Sequence, residues 1–411
     1  MASFVVKVDD TNGRHGVLDI GRERISTPPL YVPSDDIWQA MRDIPGGSAY
    51  CRSGVCEYDI WIRHPDIERI RLHPEERELL EREVRERMSR VRSSAKMIHF
   101  NFFSDVMGGL DKESLIRLLC LQYQAGADVI EIPHGFCSVQ AYERMVRYAL
   151  EWQHDFRCDT SLMGIAHSAA DLTMLNRYLP QLGGGVGIDC RRFNKPLLYQ
   201  VRKLLKPQDV WVHAFSAPPL RYREVDNQGT LGGMLINWFG GVDTVSTITQ
   251  GDPVREYFTY LFSRMEGQEK TECLKQMRYF APTDYSTPTF GDLEVSYGGD
   301  SHRLSSFCDC PVCRNLTIGG DAMENLPDLY LNNQLHRAFA YYRESQKCRH
   351  ALINNETDRF LAGKLYAAEI IRRSGGTLAG RWPGNAPVRK VGDGKVHVSR
   401  IARRDYPLPV L

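Results

Sequence analysis

The chain has 411 residues, 42% hydrophobic and 10% aromatic, which suits one large α/β domain with an appendage, or two domains. Its 52 Lys and Arg balance 51 Asp and Glu to a net charge of +1, so any nucleic-acid surface must be a local patch. No apolar run of about 18 residues offers a membrane span. The opening residues do not read as a secretory signal, and 11 cysteines without one argue for reduced thiols in the cytoplasm.

The first residues read as strands and turns: Arg14 to Gly21 and Ile25 to Pro33 run apolar or alternate between Gly and Pro punctuation. A Gly- and Cys-containing loop follows from Gly46 to Cys56. A charged helix then spans about Pro74 to Arg92, with its proline in the first turn and an apolar stripe of Leu79, Leu80, Val84, Met88 and Val91. Its alternating arginines and glutamates suit a solvated face with i,i+4 pairs, and a nucleic-acid contact is the rival reading.

From Met97 onward, strand, loop and helix repeat. Strands are predicted at Met97–Phe103, Val129–Ile132, Ser161–Ala166, Gly185–Ile188, Val210–Ala214 and Val242–Thr247. Helices are predicted at Asp111–Gln124 (N-capped by Asp111 and ended by Gly126), Ser138–Gln153, Ala170–Tyr178, Pro196–Leu205, Gly232–Phe239 and Pro253–Arg264. Short apolar strands alternating with amphipathic helices define βα units on a parallel sheet. So many units, with no Gly-x-Gly-x-x-Gly after the first strand, favour a closed (β/α)8 TIM-like barrel over an open dinucleotide-binding sheet.

A barrel of that kind gathers its site at the carboxyl ends of the strands. Those ends supply Asp105, His134, His167, Asp189, His213 and Asp243 with Ser246. They are carboxylates and imidazoles, the equipment of general acid–base and nucleophilic work, without a redox-cofactor or phosphate-cradle signature.

Later in the chain, Cys308-Asp309-Cys310-Pro311-Val312-Cys313 is followed by His336. Three thiols and one imidazole are the ligand set of a closed, structural Zn2+ site, with His350 as the rival fourth ligand. Such a site braces loops and leaves the chemistry elsewhere. The predicted domains are a barrel with N-terminal strands over 1–300, a zinc-binding helical subdomain over 301–374, and a basic tail over 375–411. Arg381, Arg389, Lys390, Lys395, Arg400, Arg403 and Arg404, with Trp382, His397 and Tyr406 between them, suit that tail for phosphate contacts and stacking.

On these residues the chain resembles the tRNA-guanine transglycosylase superfamily. Gly16-Val17-Leu18 with Ile25 to Pro33 is similar to that family's opening G-x-L and I-x-T-P-x-F-M-P. Gly126 to Ile130 is similar to its L-G-A-D-I-I, and Gly241-Val242-Asp243 to its G-x-D. The cysteine triplet with His336 is the most specific likeness. The resemblance implies a (β/α)8 barrel that exchanges guanine in nucleic acid for a 7-deazaguanine such as preQ0, through a covalent glycosyl–enzyme intermediate.

The departures are as informative. The family's T-D-S-G-G-F-Q has Ser104-Asp105-Val106-Met107-Gly108-Gly109 as its nearest counterpart, so Asp105 inherits the acid/base role with Asn101 as rival, and Gly108 and Gly109 border the base. His134 and His167 stand where the family recognises the base. At the nucleophile position the carboxylate is replaced by Ser246, or its work passes to Asp243 or Asp189, and His213 completes the substrate-binding set. The missing tRNA-type motifs and the basic tail point to the DNA-modifying branch, with DNA ahead of tRNA as partner. A 7-deazaguanine base, and a second copy of the chain or companion modification proteins, are the other implied partners. A non-catalytic zinc-binding partner subunit, and an enzyme acting on a free nucleoside or base, are the alternatives.

Overall fold

The computed structural model describes residues 2–10, 13–21, 23–28, 35–44, 54–90, 95–103, 110–189, 201–205, 209–215, 238, 241–245, 247–248, 264–265, 267–275, 279–285, 288–291, 302–303, 308–314, 317–318, 326–364 and 367–368. By contacts the chain divides into Met1–Ala379 and Gly380–Leu411. All described residues belong to the first unit. The predicted helices at 232–239 and 253–264, apart from Trp238 and Arg264, residues 196–200 of a third, and the basic tail lie outside the described residues.

An antiparallel sheet opens the chain, with β1 (Ser3–Asp10), β2 (Gly13–Ile20) and β3 (Glu23–Thr27) in that order. Helix α1 (Asp35–Arg42) follows. Where the sequence pattern gives a loop as far as Cys56, the structure starts strand β4 at Val55 and runs it to Ile62. Glu57 and Asp59 interrupt the apolar run there, which hides the strand from periodicity. Two helices come next, α2 (His64–Leu72) and α3 (Pro74–Arg90). On α3, Val84 and Met88 are buried, Leu79 faces solvent, and Arg87 pairs with Glu83 at 2.7 Å.

The repeating βα units are β5 (Ala95–Phe102), α4 (Lys112–Gln124), β6 (Val129–Ile132), α5 (Val139–Asp155), β7 (Ser161–Ala166), α6 (Ala169–Leu175), α7 (Leu179–Leu182), β8 (Gly183–Asp189), α8 (Val201–Leu204), β9 (Val212–Phe215), β10 (Thr244–Val245) and β11 (Thr247–Ile248). The expected Asp111 cap and Gly126 stop are present, and Ser138 proves to be a second cap. Asp111 accepts from the Ser114 amide and Ser138 from the Ala141 amide, and Gly126 turns the chain at φ 81° after α4.

Strands β10, β9, β8, β7 and β6 form one parallel sheet, and β11, β4 and β5 a second. One residue separates β10 from β11, so the two sheets share a chain segment. On the other side, the Asp128 amide donates to the Lys96 carbonyl at 2.9 Å, and its carboxylate accepts from the Lys96 amide at 2.8 Å. The architecture is mixed α/β with a five-stranded parallel sheet. Among the described residues, no ladder joins β5 to β6 to close a ring.

Strand alternation sorts the side chains. Tyr58, Ile60, Ile62, Ile98, Phe100 and Phe102 point outward and pack under Ile70, Val84, Met88, Leu118 and Leu121 of the helices. The opposite face carries Val55, Ala95, Met97, Val129, Met163, Ile165, Trp211 and Phe215. Leu18, Ile20 and Ile25 of the opening sheet join that cluster beside residues from the amino-terminal ends of the strands. The same alternation puts Glu57, Asp59, His99, Asn101 and Glu131 on the inner face, further along the strands.

Gly185 illustrates how tightly β8 and β9 are fitted. Its φ is +79°, and a Cβ there would sit 2.3 Å from the Trp211 carbonyl oxygen, which accepts the Val186 amide. Backbone cannot yield as a flexible side chain would. Gly185→Ala should therefore destabilise the fold by about 2–4 kcal/mol, combining left-handed strain with overpacking. Urea unfolding checks this, and an unchanged midpoint would refute it.

Beyond the strands, α9 (Gly267–Lys275) precedes a short hairpin of β12 (His302–Arg303) and β13 (Thr317–Ile318). Helices α10 (Leu326–Ile353) and α11 (Thr357–Ala362) follow. Cys308, Cys310, Cys313, Val312, Leu335 and Phe339 share a core with Ile37, Met41, Tyr279 and Phe290. The cysteine segment thus packs directly on residues from the earlier part of the chain. No described helix is long and apolar enough to cross a membrane.

Candidate metal centre and candidate active site

The Cys308, Cys310, Cys313 and His336 ligand atoms all lie within 4.8 Å of one another and are buried. A tetrahedron with metal–sulfur bonds of about 2.3 Å and metal–nitrogen bonds of about 2.0 Å has ligand separations in this range. The loop supplies the thiols, and one turn of α10 supplies the imidazole. His336 donates from Nε2 to the Phe280 carbonyl at 2.7 Å, which leaves Nδ1 facing the sulfurs, 3.0 Å from Cys313 and 3.6 Å from Cys310. That second contact fixes the tautomer a metal needs. Tyr279 stacks on His336 at 4.2 Å and places its hydroxyl 3.4 Å from the Cys313 sulfur.

Hydrogen bonds from the Cys310 and Cys313 thiols hold Cys308 well below the usual thiol range. Their bonds to Cys308, with burial, push Cys310 up to about 12 and Cys313 higher still. Only a cation at their centre would let all three thiols ionise together, and the three sulfurs and one imidazole nitrogen present fit a bound metal ion. His350 is exposed and pairs with Asn354, which settles the choice of fourth ligand on His336.

A second constellation lies at the carboxyl ends of β6, β7 and β8. His134 follows β6, His167 follows β7 and Asp189 closes β8. The imidazoles of His134 and His167 lie 3.9 Å apart. Each faces a carboxylate: His134 Nε2 is 3.4 Å from Asp171, and His167 Nε2 is 3.5 Å from Asp189. The His134 contact is an ion pair, and its Nε2 has no aligned hydrogen-bond partner among the described residues. His134 Nδ1 donates to the Gly135 carbonyl at 2.7 Å. Asp171 is held by α6, where it accepts from Ser168 and from the His167 amide. One carboxylate therefore orders both histidine loops.

Burial lowers the His134 pKa, but Asp171 and then Cys137 outweigh it and raise the value to about 9. For Asp171 burial works upward and the His134 imidazolium outweighs it, so its pKa falls. A histidine whose folded pKa lies above its unfolded value of about 6.5 stabilises fully below that value and loses the contribution as pH rises toward 9. Thermal stability should therefore fall between pH 7 and 9, by on the order of 3 kcal/mol from this pair, and His134→Gln should flatten that slope. Melting curves across the range test it; an equal slope in both proteins would refute the assignment.

His213 and Asp243 lie elsewhere than expected. His213 is inside β9 and fully buried. Its Nδ1 meets the Thr244 hydroxyl at 2.7 Å, and burial with the neighbouring His99 cation drives its pKa down to about 3. It is a neutral packing element below the rim. Asp243 precedes β10, at the amino-terminal end of that strand and not at its carboxyl end. Both its carboxylate oxygens are bound by the Arg14 guanidinium, and it also accepts the Val212 amide at 2.7 Å. The strand starts two residues later than the apolar pattern suggests, so Asp243, second in the predicted strand, precedes the observed one. Asp105, Gly108, Gly109 and Ser246 lie outside the described residues.

Other buried polar groups had no motif to mark them. On the inner face His99 donates from Nδ1 to Glu131 at 2.6 Å, and Asn101 donates to Asp59 at 2.7 Å. Burial opposes protonation of His99, but Glu131 raises its pKa to about 9. The usable signal was V-C-E-Y-D-I-W-I, whose carboxylates fall on one face of an otherwise apolar strand. At the rim, Trp61 is nearly half exposed, 5.3 Å from the Phe103 ring, and the Arg63 guanidinium sits 4.7 Å over Phe103.

Scanned against protein-family models the sequence matches none, and no curated protein matches it.

Proposed function

We propose that this chain is a base-exchange transglycosylase that replaces a guanine in nucleic acid, DNA ahead of tRNA, with a 7-deazaguanine. The observation that carries the reading is the His134–His167 pair, rings in tilted contact at 3.9 Å and each facing a carboxylate, at the carboxyl ends of parallel strands. Imidazole and carboxylate groups fixed side by side can read the donors and acceptors on the edge of a purine. In this proposal the strands close as a (β/α)8 barrel around that rim.

Exchange with retained configuration takes two displacements at C1′. A carboxylate attacks as guanine leaves, and the incoming base then displaces the carboxylate. With Asp243 committed to Arg14, Asp189 is the carboxylate assigned to attack. Asp105 is assigned to protonate the leaving base and to take a proton from the incoming one. The target nucleotide must leave its stack, at a cost of a few kcal/mol in a duplex. The exposed Trp61 beside Phe103 and Arg63 offers the flat apolar and cationic surface on which an unstacked base can rest. The Cys3His group holds Zn2+ as a brace and takes no step in the exchange.

The test is incubation of the full chain with labelled guanine or 7-deazaguanine, in separate DNA and tRNA reactions. Label should enter DNA, and Asp189→Asn should lower the rate by about 10³-fold or more while its metal content is unchanged. No incorporation into either polymer would overturn the proposal. Salt-sensitive nucleic-acid binding without exchange would favour the non-catalytic partner subunit.

A further inference from the structure

The inner face of β4 and β5 holds a second set of groups able to ligate a metal, made of other residues than the cysteine cluster and the His134–His167 pair. The carboxylates of Glu57 and Asp59 and a ring nitrogen of His99 lie within 4.8 Å of one another, all buried. The register explains the convergence. Asp59 is paired directly with His99 across the parallel ladder, and Glu57 stands two residues before Asp59 on the same face.

Two further features point to a ligand. His99 is 2% exposed, and its Nε2 has no hydrogen-bond partner among the described residues. A buried nitrogen left this way costs roughly 1–3 kcal/mol unless something occupies it. Its Nδ1 is spent on Glu131 at 2.6 Å. Glu131 is itself fixed, since its amide donates to the Gln122 side chain and its carbonyl accepts from it, both at 2.8 Å. The ring also stacks on Phe215 at 4.5 Å. A carboxylate fixing an imidazole that lies beside two more carboxylates is the kind of arrangement that orients a histidine for a metal ion.

We infer that Glu57, Asp59 and His99 bind a divalent transition-metal ion of the Mn2+ or Fe2+ type, with Glu131 as the positioning residue behind His99. One imidazole and two carboxylates suit such ions better than the thiolate-rich group does. Three protein ligands also leave coordination positions for water or a substrate oxygen, unlike the closed Cys3His set. This inference does not rest on the proposed base exchange.

The experiment is a metal count on the full chain by mass spectrometry, combined with Mn2+ titration followed by the electron-paramagnetic signal of the free ion. The wild-type chain should hold one zinc and take up one further ion. Asp59→Asn should lose that ion and keep the zinc, which also reports that the variant is folded. Glu131→Gln should keep the second ion with about 10–100-fold weaker affinity. A wild-type chain that holds zinc alone at millimolar Mn2+ overturns the inference without any variant. So does a second ion that survives Asp59→Asn undiminished.

Discussion

Cys310→Ser should empty the Cys3His site and destabilise the protein by roughly 4–5 kcal/mol or more, the range in which loss of a metal falls. The size of the effect follows from where the ligands sit. Cys310 and Cys313 are wholly buried and belong to the cluster of Ile37, Met41, Phe290 and Phe339, so they are at once candidate metal ligands and core side chains. Without a cation, the thiols and the His336 Nδ1 remain crowded together in that core. By contrast, Asp309→Ala removes only a surface pair with Arg343 and should cost 1 kcal/mol at most. Melting temperature and zinc content, measured together on both variants, decide the matter. A Cys310→Ser protein that melts like the wild type would show that the cluster holds nothing.

The second large effect is expected at Arg14. Arg14→Met leaves the Asp243 carboxylate buried with its fork-shaped partner gone, and stability should fall by about 3–5 kcal/mol. Arg14 also donates to the Val210 carbonyl, so one side chain holds two segments that are distant in sequence. Combining Arg14→Met with Asp243→Leu should recover much of the loss, because an apolar pair needs no charge compensation. Chemical denaturation of the single and double variants measures the coupling. Were Asp243 a nucleophile, Asp243→Asn would abolish activity and leave stability intact. The geometry expects the reverse emphasis.

How much of this was legible depended on whether the determinants were local. The Asp111 cap, the Gly126 stop and the apolar runs of β6 and β7 were readable because each signal lies within a few residues of what it controls. Strand β4 was not, since Glu57 and Asp59 face inward and break the run that would announce it. Asp243 was misplaced along its strand because its partner is 229 residues away, and no window on the sequence joins the two. The metal ligands were visible through their spacing. The choice of His336 over His350 needed the fold: the two are 14 residues apart on α10, and only His336 is buried at the thiols. The Asp171 anchor beneath both histidines carried no motif and appeared only in three dimensions.

Helix α10 has a further consequence. Its 28 residues make a rod about 42 Å long. His336 is fastened to the metal loop, Glu344 to Tyr285 and Lys364, and Arg349 to the carbonyls of Ser26 and Pro28 at the end of β3. Thr27 pairs with Gly16 of β2, two residues from Arg14. An unbroken run of rigid attachments therefore leads from the thiolates to the root of β10. Chelation should register as faster amide exchange in the opening sheet, at residues that never touch the ion.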